Sequence, residues 1–152
     1  MSENFYESEV RRVLEKDFSS GALQIIGESS EIFKMLAISY PAIGSKIDWS
    51  EVPGAILAFE ENESLQVEKF IGFFDEIVAK YSLVGDVVYV GDSATDFSLK
   101  ASVEKIRQIL PELLDIPQHH YFVGSDFSWC MCLTMEGDMG FGFGGVRKFT
   151  QK

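Results

Sequence analysis

Both histidines and both cysteines of the chain fall in one stretch, HHYFVGSDFSWCMC, from His119 to Cys132. These residue types do two kinds of chemistry: they ligate transition metals, and they form thiol–imidazole nucleophile pairs. The spacing favours neither. A structural zinc site draws its ligands from turns or helix ends, in pairs spaced like Cys-x-x-Cys. Cys130 and Cys132 are one residue apart in a run of strand-forming residues. On a strand they share a face, with α-carbons about 6.8 Å apart, at the limit of disulfide reach. His119 and His120 are adjacent, so a strand turns them to opposite faces and at most one can join the cysteines. A nucleophilic thiol also needs a polar group that orients its histidine, or a helix N-terminus that lowers its pKa, and the stretch offers neither. The cysteines are expected to be small buried packing residues, with no metal and no cofactor.

A second cluster lies in VVYVGDSATD, residues 87–96. An apolar strand followed by Gly91, Asp92, Ser93 and then Asp96 resembles the fourth motif of the haloacid-dehalogenase-like phosphatases, in which the acidic pair helps to hold magnesium. That family also needs an Asp-x-Asp motif, and the chain contains none. Two carboxylates on one loop are too few for magnesium-dependent phosphoryl transfer. The stretch is expected to be a strand end and a polar turn that caps a following helix. GFGFGG, residues 140–145, lacks the helix and the Lys-Ser/Thr of a phosphate loop. It alternates instead. Met139, Phe141 and Phe143 fall on one face of a strand, and Gly140, Gly142 and Gly144 on the other. The glycine face leaves room for a bulky neighbour, Trp129 or Tyr121, to lie across the backbone. Asp126, Glu136 and Asp138 fall at turns, where they could form an acid–base set or contacts on an exposed rim.

The elements that position these residues follow from periodicity. Tyr6, Val10, Val13, Leu14 and Phe18 form a helical stripe over 3–18, ended by SSG at 19–21. ALQIIG, 22–27, could be a short strand, and SSEIFKMLAISYP, 29–41, a serine-capped helix stopped by Pro41. Residues 41–62 stay open between helix and strand, with AILAF as a candidate strand and Trp49 as a packing anchor on a loop. The clearest helix is 63–83, where Val67, Phe70, Ile71, Phe74, Ile77, Val78 and Tyr81 make one apolar stripe. DVVYVGD, 86–92, reads as a buried strand. SLKASVEKIRQIL, 98–110, reads as a second helix, with Leu99, Val103, Ile106 and Leu110 on one face and Pro111 breaking or kinking it. Beyond Pro117, HHYFVG, FSWCMCLTM and DMGFGF form an antiparallel meander separated by turns. The expected class is α+β: helices with scattered strands, then a C-terminal meander, one layer of sheet packed on helices in a single domain over 1–152.

Charge narrows the partners. The 152 residues carry 24 acidic and 13 basic side chains, a net charge of −11. From Glu28 to Asp96 there are 13 acidic and 4 basic residues, a net of −9. Such a surface repels nucleic acid and anionic lipid and speeds encounter with a basic protein. No apolar run reaches the roughly 18 residues of a membrane span. The first twenty residues are too charged for a secretory signal, and two closely spaced cysteines are no disulfide framework; a cytoplasmic protein is expected.

The order of an acidic, helix-first chain ending in HYFVGSD and FSWCMCLTMEGDMGFG is similar to that of bacterial immunity proteins, which neutralise polymorphic or contact-dependent growth-inhibition toxins. The resemblance covers about the last third of the chain. It implies a non-catalytic protein that masks the active site of a basic toxin domain, in many such systems a nuclease. The contacts would then be acidic side chains on loops and helix surfaces, and Glu68, Asp75, Asp92, Asp96 and Asp126 are the candidates. The competing expectations are a scaffold module with another partner, or a hydrolase built on Asp92 and Asp96 with magnesium or on a cysteine with a histidine.

Overall fold

A computed structural model describes residues 4–43 and 46–144. Within them the chain is α+β, with one seven-stranded antiparallel sheet. The first helix, α1 (Phe5–Val13), starts at a reciprocal cap: Asn4 accepts the Glu7 N–H, and Glu7 accepts the Asn4 N–H. The helical stripe expected over 3–18 is interrupted at Leu14, and α2 (Glu15–Ser20) continues from there to Gly21, which takes the left-handed conformation at φ +85°. Val10 and Leu14 are buried, whereas Val13 is 49 % exposed.

Strand β1 (Gln24–Glu28) leads into helix α3 (Ser29–Ser39). No serine side chain caps α3: its N-cap is Glu28, and Ser29 instead hydrogen-bonds Asp96. The short hairpin β2 (Ala42–Ile43) and β3 (Lys46–Ile47) and a single 3₁₀ turn at Trp49–Glu51 lead to β4 (Ile56–Phe59). Helix α4 (Glu63–Tyr81) follows, capped by Asn62, with Phe70, Phe73, Phe74 and Ile77 buried. β5 (Asp86–Gly91) and β6 (Phe97–Ser102) form a hairpin, and α5 (Val103–Leu114) starts at the Ser102 cap. β7 (His120–Gly124), β8 (Trp129–Leu133) and β9 (Asp138–Phe143) complete the sheet.

One sequence expectation fails here. The first residues of the helix expected over 98–110 are strand β6, and α5 runs through Pro111 to Leu114. Phe97, Leu99 and Ala101 alternate into the core, and β6 has ladders on both sides, to β1 and to β5. Those two sets of main-chain bonds outweigh the weak helical preference of FSLKAS.

The strand order is β1-β6-β5-β7-β8-β9-β4. The C-terminal strands are therefore not a sheet of their own. They share one sheet with strands drawn from between the helices, and that sheet is covered on both faces. On one face Val87, Tyr89, Leu99, Phe122, Met131 and Phe141 meet α4 and α5, with Phe70 stacked on Phe122 at 5.6 Å between ring centres. On the other, Val88, Val90, Tyr121, Val123, Cys130 and Cys132 meet Leu36, Tyr40, Trp49 and Val52. The glycine ladder of β9 does receive a large ring, but a different one from those expected. Trp49 lies where a Cβ on Gly140 would stand, and Tyr40 lies over Gly144, while Trp129 covers Gly124 of β7.

Candidate functional site

The loop joining β5 to β6, Asp92–Asp96, is held by side chains from three other parts of the chain. Gln118 is 1 % exposed, and its side-chain carbonyl accepts the backbone N–H groups of Ser93, Ala94 and Thr95 at 3.3, 2.8 and 3.1 Å. Its amide nitrogen donates to the Tyr89 hydroxyl at 2.9 Å and to Thr95 at 3.0 Å. The buried Glu7 carboxylate accepts the Asp96 N–H at 2.7 Å, and Asn4 donates to the Ala94 carbonyl at 2.7 Å. The Ser29 hydroxyl donates to Asp96 at 3.2 Å, and Asp92 accepts the His119 N–H at 2.9 Å. Gly91 is needed at the strand end because the Gln118 amide occupies the position of any Cβ there. These bonds satisfy the backbone of an irregular loop and fix the direction of its two carboxylates, of which the Asp92 side chain is 21 % exposed.

The same end of the sheet gathers eight acidic residues that the sequence scatters. Glu28 ends β1 opposite Phe97. Next along the rim are Asp96 and Asp92, then His119, whose Nδ1 accepts the Met135 N–H at 2.9 Å. The β8–β9 turn contributes Glu136 and Asp138, and Glu60 donates its N–H to the Gly137 carbonyl at 3.1 Å, which brings Glu60, Glu61 and Glu63 alongside. Lys46 on this rim already pairs with Glu136 at 3.0 Å, and that bond holds the Glu136 carboxyl below the usual range. Across seven strands the rim spans roughly 29 Å. Individual exposed charges interact weakly in water, but a row of one sign makes a potential that extends about a Debye length from the surface.

The five residues picked from the sequence do not form one surface. Asp92 and Asp96 lie together on the acidic rim, towards its β1 end. Glu68 and Asp75 are both exposed on α4, two turns apart, and the Asp75 carboxylate is engaged at both oxygens by Arg107 of α5, at 2.7 and 3.0 Å. Asp126 is at the opposite end of β7, roughly 16 Å away along the strand. It caps Ser128 by accepting both its hydroxyl and its N–H, and these bonds lower its pKa. The turn that holds Asp92 and Asp96 precedes a strand and not a helix, because β6 begins at Phe97. Gln118 and Glu7, which fix the loop, went unrecognised in the sequence. The only hint was a glutamine wedged between Pro117 and an aromatic strand.

The other chemistries can be placed as well. Cys130 and Cys132 face α3 and Trp49, and His120 faces α4 and α5, so the sheet itself separates both thiols from the His120 imidazole. Burial raises the Cys130 thiol pKa and pushes that of Cys132 up to about 12, although Cys132 accepts the Trp49 indole N–H at 3.3 Å. Burial, with His119 nearby, lowers His120 to about 3, so it is the neutral partner of Tyr89 at 2.8 Å. His119 Nε2 lies 3.8 Å from Asp92, but the Ser93 hydroxyl bonds Asp92 and not the histidine, so the order of a hydrolytic triad is not assembled. Among the described residues no group of three or more His, Cys, Asp or Glu side chains is placed to hold a metal ion, and no helix is long and apolar enough to cross a membrane. No model of a known protein family matches the chain, and no curated protein sequence matches it.

Proposed function

We propose that this is a non-catalytic cytoplasmic binding protein that caps a basic surface of a partner protein with the acidic end of its sheet, as an immunity protein masks the active site of a toxin domain. One observation carries the reading: Asp92 and Asp96 are exposed on a loop whose backbone is pinned by the buried Gln118 and Glu7. Binding surfaces gain affinity when the groups that meet the partner lose little conformational freedom on association. A loop held by side chains from three parts of the free protein meets that condition. Row charge of one sign then steers a basic cleft onto it and repels nucleic acid.

Affinity capture from the native host at low ionic strength, with elution by salt, tests the proposal. The expected result is a basic protein whose own activity, nuclease or other, is inhibited at one-to-one stoichiometry. A captured partner whose activity persists at saturating amounts of this protein would contradict masking, and failure to retain any basic protein would contradict the binding role.

A further inference from the structure

The two edges of the sheet are built differently. β1, at one edge, carries a register break between Ile25 and Gly27, and Gly27 has φ +142°. Such an irregularity spoils an edge as a template for another strand. β4, at the other edge, pairs regularly with β9 from Ile56↔Phe141 to Phe59↔Asp138. Glu60 donates its N–H to the Gly137 carbonyl at 3.1 Å. By the two-residue alternation of an antiparallel ladder, Ala58 and Ile56 also turn their main-chain groups toward β9, and Leu57 and Phe59 turn theirs to the open edge. The side chains of these same two residues are 59 % and 53 % exposed. The four residues ILAF include none of the charges, prolines or bulges by which exposed edges are usually blunted.

Charge selects the occupant. Glu60 and Glu61 follow β4 directly, and Glu136 and Asp138 lie across the adjacent turn. A second copy of a chain with net charge −11 is repelled from this edge, whereas a basic segment is drawn to it. We propose that β4 takes up an extended basic segment of the partner as an eighth strand. Apolar side chains of that segment would lie on Leu57 and Phe59, and lysine or arginine against Glu60 and Glu61. The incoming main chain bonds the outward N–H and C=O groups of Leu57 and Phe59, and about five residues at 3.3 Å each cover the strand. This inference rests on the proposed function and names how the basic partner is gripped.

The probe is a synthetic peptide of alternating lysine and valine, added to the full-length protein and followed by amide hydrogen exchange and NMR shifts. The expected result is a shift of the Leu57 and Phe59 amides with at least about tenfold slower exchange, weakened by salt, and no response to a control peptide of alternating glutamate and valine. Leu57→Pro removes an N–H that the β4–β9 ladder does not use, so it should abolish the response while thermal unfolding stays near wild type. Should Leu57→Pro fail to fold, Phe59→Lys, which repels the peptide, should abolish it instead. Unchanged Leu57 and Phe59 amides with salt-sensitive shifts confined to residues 92–96 would overturn the edge proposal and leave the acidic rim as the binding surface. No shift anywhere would count against both. Protection of Leu57 and Phe59 in peptide-free protein, growing with protein concentration, would overturn it in favour of a second copy.

Discussion

The Gln118 side-chain oxygen accepts the Ala94 N–H at 2.8 Å, and through this bond and its two neighbours a residue two positions before β7 holds the loop bearing Asp92 and Asp96. The loop's shape is therefore set by a side chain more than twenty residues away in sequence and buried beneath it. Replacing Gln118 with leucine removes the acceptor for three N–H groups and the donor to Tyr89 and Thr95 at once. Leaving buried polar groups unpaired costs on the order of 1–3 kcal/mol for each group that water cannot reach, so a loss of about 3 kcal/mol is expected in urea unfolding. Amide exchange of Ser93, Ala94 and Thr95 should accelerate well beyond the global change. Unaltered exchange there would mean that the loop keeps its shape by other bonds.

The indole of Trp49 lies against Gly140, where an added Cβ would overlap its ring atoms. Gly140→Ala should displace Trp49, break its bond to Cys132 and destabilise the protein by about 2 kcal/mol, with tryptophan emission shifted to the red. Gly72 gives the opposite expectation. It lies within α4 with nothing near its Cβ position, so Gly72→Ala should stabilise by about 0.5–1 kcal/mol. Equal effects of the two substitutions would contradict the packing described.

His120 makes stability depend on pH. Its folded pKa, lowered to about 3 by burial and by His119, lies below the unfolded value near 6.5. Between these two values the unfolded chain binds the extra proton, so stability is lost as pH falls from about 6.5 toward 3. From pH 7 to pH 5 this residue should remove about 2 kcal/mol. His120→Asn should flatten that part of the profile in denaturant unfolding, whatever its stability at pH 7. A profile of unchanged slope would show that His120 does not set it.

The thiols should be inert. Both cysteines are buried, and burial holds both pKa values above the ordinary range. Native protein at pH 8 should be alkylated far more slowly than unfolded protein, since the thiolate is the reactive form. Rapid labelling of either residue would revive a cysteine-based chemistry.

Local periodicity made the long elements legible and left the partners of remote residues illegible. The α4 stripe and the three C-terminal strands can be read from spacing, because each buries a face that its own residues define. β6 could not. Leu99 on the strand falls in helical phase with Val103, Ile106 and Leu110 of α5, so one apparent stripe spans two elements with no turn between them. The glycine ladder of β9 announced a slot for a ring, but not that Trp49, from 91 residues earlier, fills the position over Gly140. Charge density over 28–96 was plain in the composition. That folding sets Glu28, Asp92, Asp96 and Glu136 along one rim, and sends Asp126 to the far end, depends on strand order, which single-sequence spacing does not encode.

The acidic rim as a docking surface is tested most directly by association kinetics. The rate constant for binding the basic protein captured from the host would be measured against ionic strength for wild type, for the double substitution Asp92→Lys with Asp96→Lys, and for Asp126→Lys as a control at the opposite end. Wild type should associate fast at low salt and slow steeply as salt rises, the double variant should lose about tenfold at low salt, and Asp126→Lys should follow wild type. An on-rate for the double variant equal to wild type at low salt would contradict the account.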